Sequence, residues 1–424
     1  MSFPPLGPTV AALLGVLSLA AAGVSVLLGV MVVSSGVSFS FLTEGERNLL
    51  PGLGGATVEG LRLGGVLAAF FASLLMGITK AENLRRVWPY LLFLLLATTS
   101  LLWSPDKIFG ARLLARLAYP LVAFVICSNV VRSQGDIPFR KLCCWSALLA
   151  TCVNAFLAVK EISTGGLLQY GLRYHGSAGP MDFGLYCAAA GLTLYVMWTR
   201  YGQRKYLLLA LLLVIQLIAT GTRTSLIAGA AGLITVQILL RRPKEAIAVV
   251  LSGVIIWALV PTLGARTLQG GVSTEWISAP VVGQLNLSGR AVIWDDVRNG
   301  LIGDVSLIGH GLGATQKFMS SRYILPHDVH NAYLLILADV GVVGLAAYLA
   351  FLIGTATVLL KAIRRTRSCY SVLSLGLLTL LTLSGFVQNP LYVYGAAPMF
   401  LFVGLALSAG EIPPLVPFGP QNGA

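Results

Sequence analysis

Three of the chain's four histidines, His310, His327 and His330, lie in one polar stretch, 263–331, together with Arg266, Arg290 and Arg298. A neutral imidazole can take a proton from a hydroxyl near neutral pH. A guanidinium matches phosphate oxygens in a fork. These residue types suit a reaction that activates a hydroxyl while an anionic group is held. His330 precedes Asn331 and the apolar run AYLLILADVG, at the outer end of a candidate membrane span. The plain reading of His330 on local sequence is a residue that caps or packs. His327 and His330 flank Asp328 in HDVH, which is also the minimum of a metal site with two His and one carboxylate. His310 sits in IGHGLGATQ, glycine-rich text that indicates a turn with close backbone approach and lacks the phosphate-loop pattern.

The arginines divide in the same way. Arg290 follows Ser288 and Gly289 and opens the amphipathic segment AVIWDDVRNGL. A helix start there would favour phosphate through its free N–H groups and dipole; the alternative is an ion pair with Asp295 or Asp296. Arg223 lies in TGTRTSLIA, in a tight connection between two apolar runs, where Gly221 lets the chain turn and Thr222 and Thr224 offer hydroxyls. It reads as an anion clamp or as a cation that snorkels to the membrane interface. Arg112 and Arg116 share one helical face four residues apart, and Arg173 and His175 stand in GLRYHGSAGP. Asp182 and Asp339 lie at or inside apolar runs; Asp339 is expected to be a structural partner first and a proton acceptor second. No G-x-S-x-G nucleophile elbow is present.

The elements that must position these residues are apolar helices. Of 424 residues 56% are hydrophobic and 11% charged, against about 25% charged in soluble domains, and the mean hydropathy is +0.84. Runs of about 20 apolar residues match a bilayer core, and the short alternating segments of a membrane barrel are absent. The expected fold is all-α, a polytopic membrane protein with about twelve spans: 9–33, 61–79, 88–104, 110–131, 141–159, 179–199, 206–220, 224–240, 246–262, 332–360, 370–387 and 391–410. This divides the chain into a membrane domain of nine spans (1–262), a long external loop (263–331), a membrane domain of three spans (332–410) and a disordered tail (411–424). Basic clusters follow alternate spans: Lys80, Arg85 and Arg86; Arg132, Arg140 and Lys141; Arg200, Arg204 and Lys205; Arg241, Arg242 and Lys244; Lys361, Arg364, Arg365 and Arg367. By the positive-inside rule these connections and both termini are cytoplasmic, and the 263–331 loop is external. The net charge of +13 is then topological, and no nucleic-acid partner is expected. The six cysteines have no zinc-site spacing and read as small buried hydrophobes. No Lys or Arg precedes Arg47, so the first span is expected to be retained.

TGTRTSLIA, LSGRAVIWDD, IGHGLGATQ and VHNAYLLILADVGVVGL, in this order, resemble the O-antigen ligase and polymerase superfamily of integral membrane glycan transferases. The resemblance covers 219–345 by motif and the whole chain by span pattern. It implies a bacterial inner-membrane enzyme with a periplasmic site that moves a glycan from undecaprenyl diphosphate to an acceptor hydroxyl, with inversion and without metal or cofactor. The acceptor would be the lipid A core for a ligase, or another lipid-linked repeat unit for a polymerase. Carried over, Arg223 and Arg290 hold the diphosphate and His330 is the general base. Arg112, Arg116, Arg173, His175, His310, His327, Asn331 and Tyr333 are the expected substrate-binding residues, with surrounding membrane lipid. The chain departs from the family pattern at HGSAGPMDFGLY, where Met181 and Asp182 replace an expected Asn, and the short stretch from Arg290 to His330 leans toward a polymerase-type acceptor. A transporter or flippase for an anionic lipid-linked saccharide would use the same arginines but predicts repeat symmetry and mid-membrane polar groups, which the sequence does not display. A scaffold protein gives no reason for the long His- and Arg-bearing loop.

Overall fold

The computed structural model describes residues 87–163, 180–259, 276–279, 283–286, 290–303, 307–322, 329–366, 368–391 and 396–410. The expected spans 9–33 and 61–79 lie outside these residues. The helices are α1 (Trp88–Ser100), α2 (Lys107–Gln134), α3 (Ile137–Ser163), α4 (Pro180–Tyr201), α5 (Arg204–Ala219), α6 (Arg223–Leu239), α7 (Pro243–Leu259), α8 (Arg290–Val297), α9 (Ala314–Arg322), α10 (Ala332–Thr366), α11 (Cys369–Gly385) and α12 (Ala396–Gly410). Among the described residues, three helices are long and apolar enough to cross a membrane, Lys107–Arg132, Met181–Tyr201 and Ala332–Thr366, with shorter apolar helices beside them. Large apolar side chains such as Leu95, Leu211, Ile215 and Ile353 are exposed, which water would not tolerate in a dispersed monomer. The chain is a membrane protein built from helices.

The structure adds detail to two expectations. The stretch expected as one long loop, 263–331, contains α8, a π-helical turn (Arg298–Ile302), α9 and a two-stranded antiparallel hairpin, β1 (Trp276–Ala279) with β2 (Gly283–Asn286). The helix expected at 88–104 ends at Ser100, and Asp106 caps the next helix by accepting from the Phe109 N–H at 2.9 Å.

Small residues let the helices approach closely, as membrane packing requires. A methyl group on Gly229 would lie 3.0 Å from the Ala188 side chain, and one on Gly232 only 2.8 Å from the Gly376 carbonyl. With Gly184 of α4 against Ser225 of α6 one turn earlier, α4 and α6 run parallel, and Gly376 of α11 also lies against Leu192 of α4. Tyr201 of α4 meets Tyr370 of α11 at 3.2 Å, so those two helices are antiparallel. Aromatic rings lock α1 to α10, with Tyr90 4.9 Å from Phe351 and Phe93 5.6 Å from Tyr348. Phe402 of α12 completes the cluster at 4.8 Å from Tyr90.

The directions sort the polar residues to two ends. One end holds the α1–α2 corner, the starts of α4, α6 and α10, the end of α11, and α8 and α9. The other end holds the described basic residues Arg140, Lys141, Arg200, Arg204, Lys205, Arg241, Arg242, Arg364 and Arg365, with Asp136 among them. Asp136 accepts from Tyr201 and, at 2.5 Å, from Tyr370, while its other oxygen is 3.3 Å from Arg140 Nε.

Candidate functional site at the His330 end

The centre of this end is a backbone knot. In an uninterrupted helix Val343 N–H would donate to the Asp339 carbonyl. Here it donates to the Leu307 carbonyl at 3.2 Å, and the freed carbonyls of Ala338 and Asp339 accept from His310 N (3.0 Å) and Gly311 N (2.9 Å). The break sits at Gly341, with φ 84°. A side chain there would come within 2.4 Å of Gly309 N and Leu307 O, so only glycine fits. Asp339 is buried, yet its carboxylate is satisfied: it accepts from Gly313 N at 2.9 Å, Thr315 N at 2.8 Å and the Thr315 hydroxyl at 2.5 Å. The α1–α2 corner holds the loop from the far side, through Ser104 Oγ to Leu312 O (2.7 Å), Leu312 N to Ser100 Oγ (3.2 Å) and Trp103 Nε1 to Gly309 O (3.2 Å). The His310 ring nitrogen Nε2 is 2.6 Å from the Leu301 carbonyl, which anchors the end of the π-helical turn.

On this platform α8 and the start of α10 are brought together. Trp294, one turn after Arg290, donates from Nε1 to the Val329 carbonyl at 2.8 Å. Val329 is buried and immediately precedes His330. His330 takes left-handed backbone, φ 51°. That conformation is uncommon outside glycine, costs on the order of 1 kcal/mol and concentrates at functional sites. Asn331 then caps α10 by accepting from Leu334 N at 2.9 Å. The imidazole is thus carried between a helix anchored by Trp294 and a capped helix start.

Arg223 opens α6 after a turn in which Gly221 has φ 59°. The Thr222 hydroxyl donates to Thr220 Oγ1 at 2.9 Å, and that hydroxyl donates to the Leu217 carbonyl at 2.7 Å, so both threonines are spent on the turn. The start of α4 packs here: a methyl on Gly184 would be 3.0 Å from Ser225 Oγ and 3.2 Å from Thr222 Oγ1. Arg223 and Arg290 are both the first residue of a helix. The dipole at a helix start repels a cation by about 0.3–1 kcal/mol. An anion beside either helix start is favoured by its free N–H groups and dipole.

A family profile described as O-Antigen ligase matches residues 207–349, a span that contains Arg223, Arg290, His310, His330, Asn331, Tyr333 and Asp339. An O-antigen ligase of Pseudomonas aeruginosa is 26% identical over 267 residues, covering 59% of this chain and 59% of that protein. Over these residues the chain is similar to O-antigen ligases, and it spans about three-fifths of the length of that relative.

The other expected site residues are distributed unevenly. Arg112 is exposed and Arg116 half-buried in the first turns of α2, at the same end as His330. Tyr333 is turned into the bundle: its hydroxyl donates to the Thr382 carbonyl at 2.8 Å and its ring lies 4.7 Å from that of Phe386. Arg173, His175 and His327 lie outside the described residues. Asp295 pairs with Arg298 at 2.9 Å and Asp296 with Arg322 at 3.2 Å. Among the described residues no group of three or more metal-ligating side chains occurs. Sequence reasoning missed Trp294 and Thr315 as anchors. The four-residue spacing of Arg290 and Trp294 was the available signal, since it places both on one helical face.

Proposed function

We propose that this protein transfers a glycan from undecaprenyl diphosphate to a hydroxyl of the lipid A core, as an O-antigen ligase at the periplasmic face of the inner membrane. The observation that carries the reading is the Trp294–Val329 hydrogen bond, which ties the helix headed by Arg290 to the strained turn that presents His330. The likeness of residues 207–349 to the O-antigen ligase family supports the class of reaction. The likeness to the O-antigen ligase family and to the Pseudomonas aeruginosa ligase favours the ligase over the polymerase expectation.

In this mechanism His330 takes the proton of the acceptor hydroxyl as its oxygen bonds to the anomeric carbon. The bond from that carbon to the diphosphate oxygen breaks on the opposite face, so the configuration inverts. Charge develops on the departing undecaprenyl diphosphate, and Arg223 and Arg290, each at a helix start, stabilise it where it forms. Asn331 and Arg112 and Arg116 flank the substrates; Arg173, His175, His310, His327 and Tyr333 remain candidates for the sugar or acceptor. No metal or cofactor takes part in the proposed step.

The test is glycan analysis in a host lacking the gene. Long polymer trapped on the polyprenyl carrier, with a bare lipid A core, is the expected result. Single repeat units without polymer would instead assign a polymerase. If both pools are unchanged, and His330→Ala alters no surface glycan, the transferase reading is abandoned.

A further inference from the structure

The end of the bundle opposite His330 has its own cavity, of about 390 Å³, between α3 and the start of α5. That volume falls within the range of small-ligand sites, about 300–1,000 Å³. Its mouth carries Arg140, Lys141 and Lys205; its wall is apolar, with Trp145, Leu148 and Leu209. Trp145 and Leu148 are exposed large hydrophobic side chains on the outer face of α3. A cavity with cations at the rim and an apolar wall leading away from them has the profile of a phospholipid, head group at the rim and acyl chain along the wall.

The cations are held in place. The Arg140 guanidinium lies 4.1 Å above the Tyr201 ring with Nε toward Asp136, and the Lys205 ammonium lies 5.2 Å from the Tyr206 ring. Arg200 adds a fourth positive charge behind them, 4.8 Å from the Tyr370 ring. Against these stands the Asp136 carboxylate, which Tyr201 and Tyr370 already engage from the bundle side. The rim therefore keeps an excess of positive charge. Trp145 is exposed beside these cations, and indole rings settle at the membrane–water boundary. Basic pockets between membrane helices take anionic head groups by this combination of charge and depth.

We propose that this cavity is a binding site for an anionic phospholipid of the adjoining leaflet. Arg140, Lys141 and Lys205 would take the phosphodiester, and an acyl chain would lie along Trp145, Leu148 and Leu209. Bound there, the lipid bridges α3 to α5 at the end that Asp136 organises.

The experiment uses the full chain, purified in a neutral detergent, stripped of lipid and examined by native mass spectrometry with added phosphatidylglycerol or phosphatidylcholine. Lys141 and Lys205 are exposed, so a Lys141→Gln, Lys205→Gln double variant leaves the packing intact; Arg140 is left in place because it pairs with Asp136. The expected result is several-fold greater retention of phosphatidylglycerol than of phosphatidylcholine, falling to parity in the double variant, with thermal stabilisation by phosphatidylglycerol lost in parallel. Equal retention of the two lipids, or equal retention by wild type and variant, overturns the site. Displacement of phosphatidylglycerol by millimolar glycerol 3-phosphate overturns the lipid assignment in favour of a soluble phosphate ester. Lipid retention is read without any glycan transfer, so its failure is distinguishable from that of the transferase reading.

Discussion

Two described residues adopt left-handed backbone without being glycine, Arg241 at one end of the bundle and His330 at the other. Arg241 has an ordinary reason. It terminates α6: its N–H donates to Ile238 O at 3.0 Å, and Arg242 N–H reaches back to Gln237 O at 2.9 Å, closing the helix with the reverse bonds such ends use. His330 precedes a helix, and Asn331 does the capping. The left-handed turn at His330 therefore stands before a helix start, where the closing of a finished helix does not account for it. The two ends differ in the same sense throughout. The Asp136 end uses its polar groups to close helix connections and ring contacts. The His330 end spends buried polar groups, Asp339 above all, on fixing a loop and a turn.

The comparison is broken most strongly at His330. His330→Gly keeps the left-handed backbone and removes the imidazole. The expected loss of transfer is about 10²–10⁴-fold, the usual worth of a positioned general base, with the thermal midpoint unchanged or slightly raised. Partial recovery on adding free imidazole would sharpen the assignment; full activity of the variant would remove His330 from the chemistry. The matching change at the other end, Arg241→Gly, is expected to leave transfer at the wild-type level.

Asp339→Ala comes next. It leaves the N–H groups of Gly313 and Thr315 and the Thr315 hydroxyl without their acceptor in a buried place, at about 1–3 kcal/mol for each unsatisfied group. Both thermal stability in detergent and transfer should fall, because the loop is the platform for α8. Stability unchanged against wild type would show that the knot holds without its carboxylate. Trp294→Phe keeps the ring and deletes the bond to Val329. About 1 kcal/mol of stability is expected to go, with a fall in turnover larger than in substrate affinity, since misplacement of a reacting group acts on the chemical step.

The smallest effect belongs to Asp136. Burial pushes its carboxyl up, but the Tyr201 and Tyr370 hydroxyls and the Arg140 and Arg200 charges outweigh burial and hold it below its ordinary value of 3.8. A depressed folded value stabilises the protein at pH above the ordinary one, and that stabilisation is lost as pH falls through the folded value. The gap in thermal midpoint between wild type and Asp136→Asn should therefore be constant from neutral pH to just above 3.8 and close below it. A gap that widens on acidification would mean the carboxyl is held above its ordinary value instead.

Much of the architecture was legible in residue order alone. Apolar runs between basic clusters located the described helices to within a few residues, because a bilayer-facing helix must be apolar along its whole length. The polar stretch 263–331 was legible as a place of function but not as structure, since α8, the π-helical turn and α9 are short and weakly patterned. Asp339 was rightly placed as a structural partner before a proton acceptor, and its partners Gly313 and Thr315 could not be named, because they are 26 and 24 residues away.

By itself the sequence determined that the chain is a helical membrane protein, which residue types could activate a hydroxyl or hold a diphosphate, and which family they resemble. These follow from composition and local order, which act residue by residue. Only the tertiary structure decided that Trp294 reaches the Val329 carbonyl and that Gly341 opens α10 to admit the loop at Gly309. The same holds for the Asp136 end, where Arg140, Tyr201 and Tyr370 come from three separate helices. Each is a meeting of groups distant in the chain, and such meetings are fixed by which backbones can approach and which buried polar atoms must be satisfied, neither of which is written in local sequence.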